Sequence, residues 1–299
     1  TLFFCKGAHF KEQFLLDALN NGATAYVSEK KYNTDAPCIL VSDIRKSMYL
    51  SANFFYNNAW DKLNLVGITG TKGKSTTAYF IKYIEDEYLA SLGKGPSAIV
   101  SSIDTYDGII NIESHLTTPE PFDLHKHFDN AVKSDIKHFT MEVSSQALKY
   151  GRTDGVTFAI RCYLNIGIDH ISANEHPDFE DYKLCKRSLF TDYGAEYVVY
   201  NADDEYAMSV VGGAACEKTG ISLGGHADFV ADSVTYFRSE GNIGVSFECA
   251  NEGKIFPVAL SFPGEFSVYN ALTAIAICKR LGLNTNQIVN AMKDVKISG

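Results

Sequence analysis

Apolar and polar positions fall into short runs along the chain, and the opening ones read as a small α/β unit. Leu2, Phe3 and Phe4 form an apolar strand, followed by a helix around Phe10 to Asn20 and a turn at Asn21-Gly22. Strands are expected at Thr24 to Ser28 and Cys38 to Val41. Met48, Ala52 and Phe55 recur at helical spacing, which predicts a helix from Ile44 to about Tyr56. The polar stretch Asn57 to Lys62 then marks a boundary, dividing the chain into units 1–64 and 65–299.

From Leu65 the pattern changes to β-branched runs, each followed by a turn and a helix. These runs are Leu65 to Thr69, Ala98 to Ser101, His138 to Val143, Ala159 to Ile168 and Tyr197 to Tyr200. Strands that are apolar on both faces suit the centre of a sheet covered by helices on each side. The fold class is therefore α/β: a small amino-terminal α/β domain, then a mainly parallel sheet. Phe229 to Leu260 reads instead as antiparallel hairpins, with turns at Glu240-Gly241-Asn242 and Asn251-Glu252-Gly253. A last helix is expected from about Val268 to Leu281, ending at Gly282, with no obvious closing element after it. The chain opens inside a strand and stops at Gly299, so a fragment of a longer protein is expected. In parallel sheets ligands sit beyond the carboxyl ends of the strands, which is where chemistry is sought.

Charge narrows the choice. With 27 Lys and Arg against 36 Asp and Glu, the net charge of −9 excludes a generic nucleic-acid binder. No apolar stretch has the ~18 to 20 residues of a membrane span, and no signal peptide opens the chain, so a soluble, cytoplasmic protein is expected. The seven cysteines are scattered and contain no Cys-x-x-Cys pair, which fits reduced, structural thiols.

After the strand Leu65 to Thr69 comes Gly70-Thr71-Lys72-Gly73-Lys74-Ser75-Thr76-Thr77, then a helical run from Ala78 to Tyr88. Glycines let successive N–H groups point at phosphate oxygens, and the helix amino terminus adds favourable dipole charge. Lys74 would contact the phosphates and Ser75 would ligate Mg²⁺. The strict phosphate-loop pattern fails only at its first position, where Ile68 replaces Gly. A glycine-rich turn that binds nothing is the bland alternative.

Three further positions stand out. Glu142 ends an apolar strand, which points to a metal or a basic partner, or to a structural ion pair. His170 follows Asp169 at a second strand end and is either a ligand or an ordinary polar group. Lys186 falls in the apolar stripe Phe179, Tyr182, Lys186, Leu189, Phe190. It either snorkels to water, pairs with a buried carboxylate or is chemically modified.

Together, Gly70-Thr-x-Gly-Lys-Ser75, Thr117-Thr118-Pro119-Glu120-Pro121, Met141-Glu-Val-Ser-Ser145 with Arg152, Asn165-x-x-x-Asp-His170 and Lys186 resemble the Mur ligase superfamily. Within it the similarity is to the MurE-like branch acting on UDP-N-acetylmuramoyl-L-alanyl-D-glutamate. The resemblance implies an ATP-dependent amide-bond ligase of peptidoglycan synthesis working through an acyl phosphate. It further implies that Gly70, Thr71, Lys72, Gly73, Lys74, Ser75 and Thr76 hold ATP phosphates, with Asn270 on the adenine side. Ser75 and Glu142 would hold one Mg²⁺, and Glu142, His170 and a carbamylated Lys186 a second. Lys74, Glu142, His170 and Lys186 would be the catalytic set. Thr117, Thr118, Ser144 and Arg152 would contact the UDP-muramoyl-peptide. Residues 1–64, which include Asp17-Ala18-x(3)-Gly22-Ala23-x-Ala25, resemble part of a UDP-substrate domain. The partners are then that nucleotide and an amino acid, for a monomer with no nucleic acid and no membrane span.

The sequence departs from the family pattern at Lys72, Gln146, Tyr150 and Ile171 to His176, which bear on the substrate more than on the ATP chemistry. The carboxyl-terminal, amino-acid-binding domain of the family has no counterpart, so residues 1–299 alone are expected not to complete ligation. Two other readings stay open: a Mur-type synthetase for a related muramoyl or glutamyl substrate, and a phosphate-loop nucleotide-binding module without ligase activity.

Overall fold

A computed structural model describes residues 1–7, 9–169, 171, 172, 175–192, 195–239, 242–293 and 295. The first unit is a parallel three-stranded sheet ordered β1 (Leu2–Phe4), β2 (Ala25–Ser28), β3 (Cys38–Leu40). Helix α1 (Glu12–Asn20) buries Leu15 against Tyr26 and Cys5. Helix α2 (Ile44–Phe55) is stopped at its start by Asp43, whose carboxylate accepts from the Lys46 N–H at 2.9 Å. A short 3₁₀ turn, Ala59–Lys62, leads out.

The second sheet begins with β4 (Asn64–Thr69), followed by α3 (Lys74–Ser91) and β5 (Ala98–Val100). Two short strands, β6 (Asp104–Tyr106) and β7 (Asn111–Glu113), precede α4 (Pro121–Lys133), with proline at its first position. Next come β8 (His138–Glu142), α5 (Ser145–Lys149), β9 (Phe158–Tyr163) and α6 (Phe179–Thr191). Then follow β10 (Ala195–Asn201), α7 (Ala207–Val211) and β11 (Glu217–Leu223). The hairpin strands β12 (Phe229–Ser239), β13 (Asn242–Asn251) and β14 (Lys254–Leu260) lead to α8 (Glu265–Arg280) and α9 (Thr285–Lys293).

These strands make one 11-stranded sheet, ordered β14-β13-β12-β11-β10-β9-β4-β8-β5-β6-β7. Its centre, from β12 to β5, is parallel, and both edges are finished by antiparallel pairs. Alternate residues of the central strands feed two cores. Val66, Ile68 and Val199 pack with the apolar sides of α3, α8 and α9; Leu65, Met141 and Val198 pack under α4, α6 and α7. The α/β class with a large, mostly parallel sheet agrees with the pattern read from sequence.

Four local expectations are corrected. Strand β9 ends at Tyr163, not Ile168, because after the Leu164 N–H bonds to the Thr69 carbonyl at 3.0 Å the chain turns aside toward the phosphate loop. Helix α3 starts at Lys74, four residues before Ala78, because Gly73 at φ 85 turns the chain straight into it. The helix expected to be last is followed by another: α9 buries Ile288, Ala291 and Met292 against the core shared by α3 and β14. The antiparallel edge β5-β6-β7 also lay beyond the expected pattern. The expected turn at Glu240-Gly241 lies outside the described residues.

In this order β4 lies between β8 and β9. The chain leaves β4 toward β5 on one side and later returns to β9 on the other, which opens a crevice at the carboxyl ends of β4, β8 and β9. Among the described residues no helix is long and apolar enough to cross a membrane.

Candidate active site

The crevice is built around residues 70–75, which join β4 to α3. Gly70 and Gly73 are there for two different steric reasons. A Cβ on Gly70 would sit 2.9 Å from Leu164 Cβ, and one on Gly73 would sit 2.5 Å from Asn270 Oδ1. Gly73 also takes a positive φ of 85°, strained for any other residue. Asn165, just past β9, clamps the loop: its Oδ1 accepts from the Lys72 N–H at 2.9 Å and its amide donates to the Lys72 carbonyl at 3.0 Å. Thr71 Oγ1 meets Tyr182 of α6 at 3.0 Å and accepts from the Gly167 N–H at 3.0 Å. The first turn of α3, carrying Ser75 and Thr76, contains no acidic residue to compete with an anion at its amino terminus.

Lys74 folds back over this loop, donating to the Gly70 carbonyl at 2.9 Å and the Thr71 carbonyl at 3.3 Å. Burial lowers its pKa, partly offset by the nearby charges of Glu142 and Asp169. Asn270 of α8 packs beneath the loop, accepting from Thr77 Oγ1 at 3.2 Å and standing against Gly73.

Three oxygens meet beside Lys74. Ser75 Oγ lies 2.9 Å from Ser102 Oγ, and Glu142 Oε1 accepts from the Ser102 N–H at 2.8 Å and its hydroxyl at 3.3 Å. Glu142 is buried, at 1% exposure, so its carboxylate is held by these donors instead of water. A set of hydroxyl and carboxylate oxygens next to a phosphate loop suits Mg²⁺, which prefers hard oxygen ligands. Ser102 was missed in the sequence, although it stands just past a predicted strand.

Gly70 and Lys74 also line a cavity of about 220 Å³, together with Thr117, Ser144, Arg152 and Lys186, among others. Lys186 is buried at 1% exposure in the middle of α6, on the stripe that also buries Tyr182, Leu189 and Phe190. Its Nζ lies 4.5 Å from the centre of the Tyr182 ring. Burial, reinforced by the charge of Lys74, pushes its pKa well below the ordinary lysine range. The snorkelling reading of Lys186 therefore does not hold.

The four expected contacts to a muramoyl peptide are close neighbours with unequal access. Thr117 and Ser144 line the cavity. Thr118 is fully buried, donates to the Glu142 carbonyl at 2.9 Å and accepts from the Ser144 N–H at 3.0 Å, so it braces the β8–α5 turn. Arg152 donates from Nη1 to the Thr118 carbonyl at 3.1 Å and pairs through Nε with Glu120 at 3.0 Å. That Nε–Glu120 contact is an ion pair without hydrogen-bond alignment, since the same Nε has no hydrogen-bond partner. Glu120 also pairs with Lys6 of the first unit. His170 lies outside the described residues. Ser75, Glu142 and Lys74 thus stand together, and Lys74 and Lys186 share the cavity, whereas Ser75 and Glu142 adjoin it without lining it.

Comparison with known proteins shows the family. Residues 68–278 match the family model of the Mur ligase middle domain. The chain is 38% identical over 300 residues to the UDP-N-acetylmuramoyl-L-alanyl-D-glutamate–L-lysine ligase of Streptococcus agalactiae serotype V, covering 100% of this chain and 58% of that protein. It is 36% identical over 310 residues to the UDP-N-acetylmuramyl-tripeptide synthetase of Bifidobacterium longum, again 100% of this chain and 58% of the relative. The chain therefore spans under two thirds of the length of the curated relatives it matches. Among solved structures, a UDP-N-acetylmuramoyl-L-alanyl-D-glutamate–2,6-diaminopimelate ligase superposes with a TM-score of 0.82 at 22% identity, over 100% of this chain and 61% of that one. MurF ligase from Thermotoga maritima, solved with ADP, superposes at 0.67 with 19% identity, over 99% of this chain and 63% of that one. The fold, the phosphate loop and these matches together establish that the chain belongs to the Mur ligase family.

Proposed function

We propose that this chain binds ATP, Mg²⁺ and UDP-N-acetylmuramoyl-L-alanyl-D-glutamate, and supplies the phosphoryl-transfer half of an ATP-dependent ligase that adds an amino acid to that nucleotide in the cytoplasm. The observation that carries this reading is the cavity lined by the cationic Lys74 and Arg152 and by the buried Lys186 amine, beside the phosphate loop and the Ser75–Ser102–Glu142 oxygen cluster. A nucleotide triphosphate and a carboxylate are the two anions such a site can bring together.

In this reading the N–H groups of residues 70–75 and the Lys74 amine hold the phosphates, while Thr117, Ser144 and Arg152 orient the peptide carboxylate. A carboxylate oxygen attacks the γ-phosphorus, the bond to the bridging oxygen breaks, and ADP leaves. The incoming amine then attacks the acyl carbon and expels phosphate. Ser75, Glu142 and His170 are the residues that would hold Mg²⁺, which when bound neutralises charge on the transferring phosphoryl group. Lys186 enters as a carbamate: its neutral amine adds CO₂, loses a proton and becomes an anionic oxygen donor. The depressed pKa supports this, because only the unprotonated amine reacts. Division into a UDP-substrate unit, 1–64, and an ATP unit, 65–299, belongs to the same proposal.

Calorimetric titration tests it. UDP-N-acetylmuramoyl-L-alanyl-D-glutamate is expected to bind saturably, and UDP-N-acetylmuramoyl-L-alanine, which lacks the glutamate carboxylates, at least about tenfold more weakly. Equal affinity for the two would overturn the assignment.

A further inference from the structure

One wall of the cavity carries a chain of side chains that the phosphate chemistry leaves unused. Ser145 Oγ lies 2.9 Å from His176 Nε2, and His176 Nδ1 lies 2.7 Å from Asp181 Oδ2. The same carboxylate oxygen receives Lys149 Nζ at 2.9 Å, and Lys149 also donates to the Glu175 carbonyl at 2.8 Å. Ser145 and Lys149 come from α5, Asp181 from the first turn of α6, and His176 from the segment before it. Ser145 and His176 are both buried, and both line the cavity beside Thr117, Ser144 and Arg152.

With the His176 ring neutral, its partners set the direction of each hydrogen bond. Lys149, then His176, hold the Asp181 carboxyl below the usual carboxylate range, so it is ionised and can only accept. In the neutral ring Nδ1 therefore carries the proton, and Nε2 is left as an acceptor. The Ser145 hydroxyl gives its single proton to Nε2, which leaves its oxygen lone pairs to face the cavity. The cationic groups around it, Lys74 and Arg152, are donors. Ser145 is thus a fixed acceptor in a wall built to hold an anion, and it calls for a ligand that carries an N–H close to its carboxylate.

The cluster has two other readings, both weaker. His176, Asp181 and Cys185 offer atoms within 4.8 Å of one another, as a metal site would. The Lys149 ammonium already occupies the shared carboxylate oxygen, and burial raises the Cys185 thiol pKa, so a cation is disfavoured there. A serine nucleophile activated by histidine would need an acyl substrate, whereas the surrounding cations select an anion.

We propose that Ser145 is a specificity-determining residue that accepts the peptide N–H of the L-alanyl–D-glutamate unit, with His176, Asp181 and Lys149 as positioning residues that keep its hydroxyl turned away. This rests on the muramoyl-peptide reading above.

The test compares UDP-N-acetylmuramoyl-L-alanyl-D-glutamate with its depsipeptide analogue, in which an ester oxygen replaces that N–H, by calorimetric titration of the chain. The wild type is expected to prefer the amide about tenfold. Ser145→Ala binds both at the affinity of the ester, His176→Asn narrows the preference, and Ser145→Thr, which keeps the hydroxyl, retains it. Binding of an ATP analogue with Mg²⁺ stays unchanged in all three. A preference that survives in Ser145→Ala, or a wild type that binds both compounds equally, overturns this inference alone. A wild type that binds neither overturns the muramoyl-peptide reading together with it.

Discussion

Lys186 shows what the site asks of a single residue. An amine at 1% exposure next to the charge of Lys74 is a cost to the fold whenever it is protonated. Its folded pKa lies below the unfolded value, so between the two the unfolded chain binds more protons and stability rises with pH. Lys186→Met is therefore expected to stabilise the chain by about 1–3 kcal/mol at neutral pH in carbon-dioxide-free buffer. That gain should shrink as pH climbs toward the ordinary lysine range; urea unfolding at several pH values checks both the sign and the trend. The carbamate has its own signature: a ¹³C resonance after equilibration with ¹³C-bicarbonate, absent in Lys186→Met. This lysine was legible in the sequence because a cation in an apolar stripe has few bland explanations. Ser102 and His176 were not, because a small hydroxyl after a strand and a histidine in an irregular segment carry no periodic signal, and only the packed chain brings Ser102 to Glu142 and His176 to the cavity.

At the scale of elements, the phosphate loop depends on a strand, a helix and two flanking asparagines. Gly73→Ala meets both a positive φ and a Cβ 2.5 Å from Asn270 Oδ1, and is expected to cost about 1–3 kcal/mol. Adding Asn270→Ala relieves the contact but not the backbone strain, so a double-mutant cycle by denaturant unfolding should recover only part of the loss. Full recovery would show that the backbone angle is unimportant. The order of strands and helices was readable because β4 and β10 are apolar on both faces, β8 carries Phe139 and Met141 on one, and all are punctuated by turns. Boundaries were less so. Strand β9 carries apolar residues past its true end, since Leu164 and Ile166 remain buried although the chain has left the sheet to hold the loop. Helix α9 escaped notice because its apolar face is only three buried residues long.

For the molecule as a whole, the two sheets are tied together through Glu120, which pairs with Lys6 from the first unit and with Arg152 from the second. The two halves of this bridge differ in exposure. Lys6 is about a quarter exposed, with a side chain at 27%, so Lys6→Ala is expected to cost less than about 1 kcal/mol. Glu120→Gln strips the buried Arg152 guanidinium of its charge partner and should cost about 2–4 kcal/mol in the same unfolding measurement. Equal costs would mean that the bridge serves only to join the surfaces. None of this was visible in the sequence, because residues 6, 120 and 152 are joined only by the fold.

The central claim is that the phosphate loop, the oxygen cluster at Glu142 and the cationic cavity form one site for a nucleotide and a carboxylate together. Calorimetric titration of a non-hydrolysable ATP analogue with Mg²⁺, with and without saturating UDP-N-acetylmuramoyl-L-alanyl-D-glutamate, tests it most directly. The account predicts that either ligand changes the affinity of the other by the same factor, about fivefold or more, and that Glu142→Gln removes both the Mg²⁺ dependence and the coupling. Independent binding of the two ligands, or coupling untouched by Glu142→Gln, would contradict it.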